Sequence, residues 1–500
     1  AAASSIGGGG DQTLSGVIDD GVSDSALTKL GTGVTTLSGA NTYSGATTVS
    51  AGTLRLGSAS GLGTTAAGTT VNGGATLDLN GQTVAAEAIN LSGAGVGGLG
   101  SLINSNTGTA ASLAGSVTLA AASSIGGGGD LTLSGVIDDG VSDFALTKLG
   151  TGVTTLSGAN TYSGATTISG GTLALVDAAS SNNIGNSSTI SLGSGTFLDV
   201  TGLMSGTFNL AVSQTLRGSG TVTGNLAGSG MVEPGTGGAG VLTIDGDFTP
   251  GGTITFDVNP PAVTAGSNYD QIVVIGAVDL SGAMLSFSGT AGAVAANQLV
   301  TLISNDGIDA TVASTSPAEG ATVTINGNSY MIYYAGGDGN DVVLFEASAP
   351  TVVYVDDDAW SALSAGAAIA DADLGTMGNQ SAVFGVTAFQ TIAAAQAAVG
   401  TGGTIIVNGG SYVAMTLSDS QTLEITGPDV AQAVTINGLG SDVGTTITIE
   451  GASTLTIVEA ASQTINGTIE GSGDLIKQGS GTLTLAGTNT YSGATTVSAG

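Results

Sequence analysis

Leu27 to Leu56 reads LTKLGTGVTTLSGANTYSGATTVSAGTLRL, and this stretch decides the fold. It returns as Leu146 to Leu175, LTKLGTGVTTLSGANTYSGATTISGGTLAL, and again from Leu475 as LIKQGSGTLTLAGTNTYSGATTVSAG. Each copy holds short alternating runs such as VTTL and TLRL, separated by Gly, Asn and Ser. Period-2 alternation bounded by such residues reads as strand, turn, strand. Strands this short cannot bury an apolar face alone, so units of this kind must stack on their neighbours.

The texture continues without pause from residue 1 to about 250. A sandwich would end after about 100 residues, whereas right-handed coiling of parallel strands continues indefinitely, with rungs about 4.8 Å apart. The expected fold class is all-β: a right-handed parallel β-helix (solenoid) in two segments, with an intervening β-rich module and one short capping α-helix. At roughly 20 to 25 residues per coil, the first segment would be on the order of 50 Å long.

The expected domains are 1–248, a first β-helix; 249–347, a β-rich module closing it; 348–403, a junction with a capping helix over 389–399; and 404–500, the start of a second β-helix. From Thr249 the strands lengthen and aromatics become denser, as in SNYDQIVVIG and NSYMIYYAGGDGNDVVLFEA. FQTIAAAQAAV at Phe389 to Val399 is Ala-rich with apolar residues near one face, and Gly400, Gly402 and Gly403 stop it. Residues 1–50 and 120–169 differ only at Gln12/Leu131, Ser25/Phe144 and Val49/Ile168. Both ends of the sequence fall inside repeat units, which reads as part of a longer polypeptide.

Composition narrows the function. Of 500 residues 87 are Gly and none is Cys or His; 5 Lys+Arg against 37 Asp+Glu give a formal net charge of −32. With 41% apolar residues the chain is too hydrophobic for disorder. Its basic residues, Lys29, Arg55, Lys148, Arg217 and Lys477, look scattered, too few to neutralise phosphates or bind an anionic membrane. Without His or Cys, catalytic triads and imidazole or thiolate metal sites are excluded. No apolar run reaches the roughly 18 residues needed to span a bilayer.

The three copies resemble the autotransporter-associated β-strand repeat, also called the passenger-associated transport repeat, of very large secreted bacterial surface proteins. Gly39, Asn41, Thr42, Tyr43, Ser44, Gly45, Thr47, Thr48, Gly52, Thr53 and Leu54 carry the match, with counterparts in the other two copies. The resemblance implies an extracellular or cell-surface protein, adhesin or structural filament, exported as a passenger. Its partners would be host or environmental glycans or further copies of itself in a homopolymer, with no nucleic acid and no membrane span in this stretch. The opening YVDDD strand, F-x-T-I helix and GGTIIVNGGSY resemble the start of a right-handed β-helix whose first coil is capped by a helix.

Several residues compete for chemical roles. Gly336 to Leu344, GGDGNDVVL, fits a nine-residue calcium template with Asp338, Asn340 and Asp341 as oxygen donors. A single copy reads better as a tight turn, so calcium is a candidate ion and no cofactor is required. Asp356, Asp357 and Asp358 form a second acidic run, read as a solvated strand end. Tyr43, Tyr162 and Tyr491 read as rings covering the edge of a turn rather than as sugar contacts, and Asn41 and Asn160 as local turn residues. A polysaccharide lyase would need a base, and Arg217 has no Asp pair beside it. A hydrolase would need converging carboxylates, but Asp19, Asp20 and Asp24 recur at Asp138, Asp139 and Asp143, which suits turn chemistry. An ice-binding solenoid would need Thr-x-Thr on successive rungs at a constant period; Thr482–Thr484 and Thr446–Thr448 have the spacing, but no unbroken file of them exists. The reading is a non-catalytic scaffold, with β-helical lyase, hydrolase and ice binder as alternatives.

Overall fold

The computed structural model describes residues 4–176, 183–260, 264–290, 299–306, 309–337, 339–346, 350–357, 360, 363, 365–369, 372, 382–418, 420–425 and 432–499. It is all-β, a parallel solenoid of about 19 turns with one α-helix among the described residues. Two compact units divide it: residues 1–259, 264–289 and 312–316 form one, and residues 260–263, 290–311 and 317–500 the other.

The first unit is a three-sided coil. Its first face stacks Ser4–Ile6, Leu27–Lys29, Thr47–Val49, Thr69–Val71, Ile89–Gly93 and the opening of Val117–Gly126 in parallel register. Its second face runs through Gln12–Leu14, Val34–Leu37, Gly52–Leu56, Ala75–Asp78, Leu102–Ile103, the close of Val117–Gly126 and Leu146–Leu149. The third includes Thr83–Val84, Ala111–Leu113, Leu131–Leu133, Val153–Leu156 and Thr172–Val176. Alternation along each strand sends one set of side chains inward, where register aligns them into files: Leu54, Leu77, Leu102 and Ile125 lie one above another, each fully buried.

Coiling in parallel register passes Thr249 unbroken. Thr253–Asp257 pairs with Met284–Ser288, and Val241–Asp245 with Gln271–Val274. Antiparallel pairing enters in the second unit, where Asn328–Gly336 folds back on Asp341–Glu346 and pairs with Thr322–Ile325.

The second unit also holds a three-sided coil, with rungs such as Thr404–Val407 under Thr422–Ile425 under Thr446–Ile449. Its helix is Ile392–Ala398, shorter than the 389–399 expected. Phe389 instead closes the strand Ala388–Phe389, paired with Val355. Thr391 is the N-cap, its Oγ1 accepting from Ala394 N at 3.2 Å, and Val399 has returned to extended backbone. Ile392, Ala395 and Val399 are buried against Val353, Ile405 and Leu417 of the coil, covering apolar surface that a solenoid end would otherwise expose.

The two complete repeats do not occupy the same faces. Leu27–Lys29 and Val34–Leu37 sit on the first and second faces, while Leu146–Leu149 and Val153–Leu156 sit on the second and third. The interval between the copies is thus not a whole number of coils, and the repeat folds alike on whichever pair of faces it meets. The cysteine-free chain allows a direct check. A Ser124→Cys/Thr147→Cys pair, register partners on the second face, should cross-link on oxidation because adjacent rungs satisfy disulfide geometry. Asp138→Cys/Thr147→Cys should stay reduced, and cross-linking of that pair alone would place the second repeat on the first face.

Candidate functional site

The residues that recur in all three copies converge on the corners of the coil. Lys29, Lys148 and Lys477 each stand in an inward aliphatic file, between Ile6 and Val49, Ile125 and Ile168, and Ile457 and Val497 respectively. The methylene stem packs in the file while the ammonium reaches beyond the strand end. Lys29 Nζ donates to Leu30 O and Gly31 O at 2.8 Å and to Ala51 O, one coil on, at 3.0 Å. Lys148 repeats this with Leu149 O at 2.9 Å, Gly150 O at 3.1 Å and Gly170 O at 3.0 Å. Lys477 donates to Gly479 O at 2.6 Å and Ala499 O at 2.8 Å. Gly31, Gly150 and Gly479 have φ of 69, 72 and 78°, a left-handed turn at which glycine carries no Cβ penalty.

Burial lowers Lys29 and pushes Lys148 down to about 8. The three carbonyl oxygens act the other way, since only the ammonium has three N–H donors to meet them. These lysines, taken from sequence as scattered cations, are structural ties. Their shared place in every copy was the signal that could have revealed them.

The asparagines also tie coils together rather than serving a local turn. Asn41 Oδ1 accepts from Ile18 N in the coil before at 2.9 Å, and its Nδ2 donates to Gly61 O in the coil after at 2.7 Å. Asn160 accepts from Ile137 N at 2.8 Å and donates to Asn183 Oδ1, and Asn489 accepts from Ile469 N at 3.0 Å. Tyr43 and Tyr162 are 1% exposed, each hydroxyl against Thr Oγ1 four residues on at 2.7 Å. Burial first, against that hydrogen bond, pushes Tyr43 up to about 12. Neither ring is available to a sugar.

The acidic loops are turn chemistry. Asp20 accepts from Ser25 N, Ser44 N and Ser44 Oγ, and those bonds hold its carboxyl below the usual range. Asp139 accepts from Phe144 N, Ser163 N and Ser163 Oγ. Asp19 and Asp138 accept from the N–H two residues on, and Asp24 and Asp143 accept from the Ser44 and Ser163 hydroxyls.

In the calcium template, Asp338 lies outside the described residues. Asn340 and Asp341 belong to the hairpin closed by the Gly336–Asp341 pair. Asp341 Oδ1 accepts from Asn305 N at 2.9 Å, and Asn340 Nδ2 donates to Asp309 O at 2.7 Å. Asn340 Oδ1 is buried without a hydrogen-bond partner, a single such oxygen where calcium takes about six to eight. No group of three or more carboxylates among the described residues could hold a metal ion. In the second acidic run, Asp358 is likewise outside the described residues. Asp357 Oδ2 accepts from Ser411 N at 3.0 Å, and Asn408 Nδ2 approaches Asp356 Oδ2 at 3.5 Å.

Arg217 Nε donates to Ser191 Oγ at 3.0 Å and has Glu233 as its register partner. Sequence reasoning gave no role to Asp270, within the YDQIVV stretch. It is 1% exposed and accepts from Gly240 N and Asp257 N, both at 2.8 Å. Burial first, with Asp257 and Glu233 adding to it, pushes its carboxyl up to about 7 against those two N–H donors.

Register also assembles what period could not. Thr28, Thr48 and Thr70 form an outward file on the first face, continued by Asn90 and Thr118, and Thr404, Thr422, Thr446 and Thr468 form one in the second unit. These are files of single threonines: on the rungs either side of Thr446 and Thr448 the pair becomes Thr422 with Glu424 and Thr468 with Glu470, so Thr-x-Thr does not repeat there. One coil is interrupted by a loop between Leu91 and Leu102. Thr76 Oγ1 anchors it, accepting from Val96 N at 2.9 Å and donating to Gly100 O at 2.8 Å. The loop's Leu99, 71% exposed, borders a groove of about 350 Å³ with Ile103, Ser105 and Leu149.

Two outcomes test these assignments. Lys148→Met should lower the stability of its coil by about 1 to 3 kcal/mol, read as lost amide protection at Leu149–Gly152 and Gly170–Thr172. Asp270 binds a proton in the fold that the unfolded chain has released. Its contribution to stability should therefore fall as pH rises from about 4 to 7 and then level off, and Asp270→Asn should remove that slope from a melting-temperature profile.

No curated protein matches the chain. The family model described as passenger-associated-transport-repeat matches residues 27–56, 146–175 and 475–500, the three stretches whose lysines, asparagines and tyrosines tie neighbouring coils. No helix among the described residues is long and apolar enough to cross a membrane. The chain is a parallel β-solenoid carrying three passenger-associated transport repeats, an architecture that fits the scaffold of an autotransporter passenger.

Proposed function

We propose that this chain is a non-catalytic spacer of a secreted or cell-surface protein, an elongated scaffold that needs no cofactor. The observation that carries this reading is the use made of the recurring polar residues. In each copy Lys, Asn and Tyr are turned inward or along the stack and satisfied by backbone and threonine groups of the same solenoid. Groups satisfied in this way are not offered to a substrate. The carboxylates that a hydrolase would need are engaged in turns in the same manner. Imaging of negatively stained protein should show thin rods. Incubation with polygalacturonate should produce no rise in absorbance from unsaturated products, and release of such products would overturn the reading.

A second reading, an adhesin, is favoured by one feature. The Gly93–Gly100 loop is pinned by a core threonine and carries a largely exposed leucine beside a groove. An uncharged polysaccharide in a chain of −32 net charge would meet no repulsion there. On this reading, a glycan array should give binding that Leu99→Asp weakens at least about tenfold, a loss of roughly 1.4 kcal/mol. Equal signals from both proteins, or none, would leave the spacer alone.

A further inference from the structure

Glu87 is sealed inside the first unit. It is 2% exposed, and its Oε1 accepts from Thr69 Oγ1 at 2.7 Å. Thr69 is the register partner of Thr47, whose Oγ1 meets the Tyr43 hydroxyl. Gly115, in the next coil, passes so close to the main chain of Glu87 that no Cβ fits there, which fixes the backbone that carries the carboxyl. Tyr43, Thr47, Thr69 and Glu87 thus make a polar ladder that climbs from the first repeat into the coils after it.

The second repeat builds a similar ladder and ends it differently. The Tyr162 hydroxyl meets Thr166 Oγ1, which meets Ser187 Oγ at 2.9 Å. The next coil supplies Gln214, 1% exposed, whose Nε2 donates to Ile184 O at 2.9 Å and Ser187 O at 2.8 Å. Its Oε1 accepts from Ala211 N at 3.0 Å. A neutral amide therefore satisfies this corner without placing a charge in it. A glutamic acid is nearly the same shape, and it resembles the amide electrically only while it holds its proton.

We infer that the corner following the first repeat is a pH-sensitive latch, closed while Glu87 is protonated and loosened when it ionises. Burial raises the Glu87 carboxyl, and the Thr69 hydroxyl only partly offsets it. Tyr43 is the titratable group facing it, and Tyr43 is itself pushed up to about 12, so it stays neutral and supplies no countercharge. The strand Thr69–Val71 contributes a hydroxyl and Gly115 contributes backbone. Of the two cations of that repeat, Lys29 is committed to the carbonyls of Leu30, Gly31 and Ala51, and Arg55 to Asp78 at 2.8 Å. An ionised carboxylate left there would be buried without a partner of opposite charge.

The direction follows from linkage. With its pKa raised in the fold, Glu87 holds a proton that the unfolded chain has already released. Stability at this corner is full at acid pH and is lost as pH rises through the folded value.

The test is amide hydrogen exchange on the whole chain, comparing wild type, Glu87→Gln and Gln214→Glu across about pH 5 to 8. Dividing wild-type protection at Thr69–Val71 and Ile89–Leu91 by that of Glu87→Gln cancels the intrinsic pH dependence of exchange. That ratio should fall, by up to about tenfold for each pH unit, between the carboxyl's unfolded value and its raised folded value, and level off above the latter. Gln214→Glu should bring the same loss to Thr189–Leu192, where wild type shows none. A ratio independent of pH together with no new dependence in Gln214→Glu would overturn the inference. Should Glu87→Gln be destabilised at every pH, the Gln214→Glu protein still decides.

Discussion

Successive coils of this chain must lie close enough for the N–H groups of one rung to donate to the carbonyls of the next, and everything else is subordinate to that approach. Leu27 N bonds Ala46 O, Thr47 N bonds Gly68 O and Thr69 N bonds Ala88 O, all between 2.8 and 3.1 Å. On the faces, strand pairing does this unaided. At the corners the backbone turns and its carbonyls would be left without donors, a serious cost once buried. The recurring side chains answer that cost: Lys29 gathers three corner carbonyls, and Asn41 bridges the coil below to the coil above. The same close approach explains Gly39 and Gly158, where a Cβ would come within 2.2 Å of the carbonyl oxygen beneath.

Much of this was legible in the residues. VTTL and TLRL alternate, and they are strands with every second residue inward. The repeated Asp19–Asp24 loop read as turn chemistry, and its carboxylates bind backbone N–H and serine groups. Gln390 and Thr391 concealed a helix start, because Ala-rich periodicity extends back to Phe389 while the cap sits later. What could not be read was any relation between coils. Thr28, Thr48 and Thr70 are unevenly spaced in sequence, so their alignment exists only once the corner lengths are known. For the same reason Asn41 looked local, Lys29 looked like a surface charge and Asp270 looked like part of a strand.

The shift of the second repeat by one face bears on how such an array grows. A duplicated segment is accepted without containing a whole number of coils, because a three-sided stack offers equivalent corners. Surface features copied with the segment, such as the loops around Val22 and Val141, both fully exposed, are therefore presented in different directions. Duplication in this chain distributes a surface feature around the stack instead of lining it up along one side.

The placement of the lysines also determines how the molecule meets proteolytic enzymes. Trypsin-like proteases cut after Lys and Arg and must draw an extended stretch of chain into their clefts. Only five such residues occur in 500. Lys29 and Lys148 are at most 1% exposed and Lys477 is 6% exposed, while Arg55 and the exposed Arg217 lie within strands paired on both sides. The chain thereby offers trypsin-like enzymes few points at which an extended stretch can be drawn out, although it has no cysteine with which to form a disulfide.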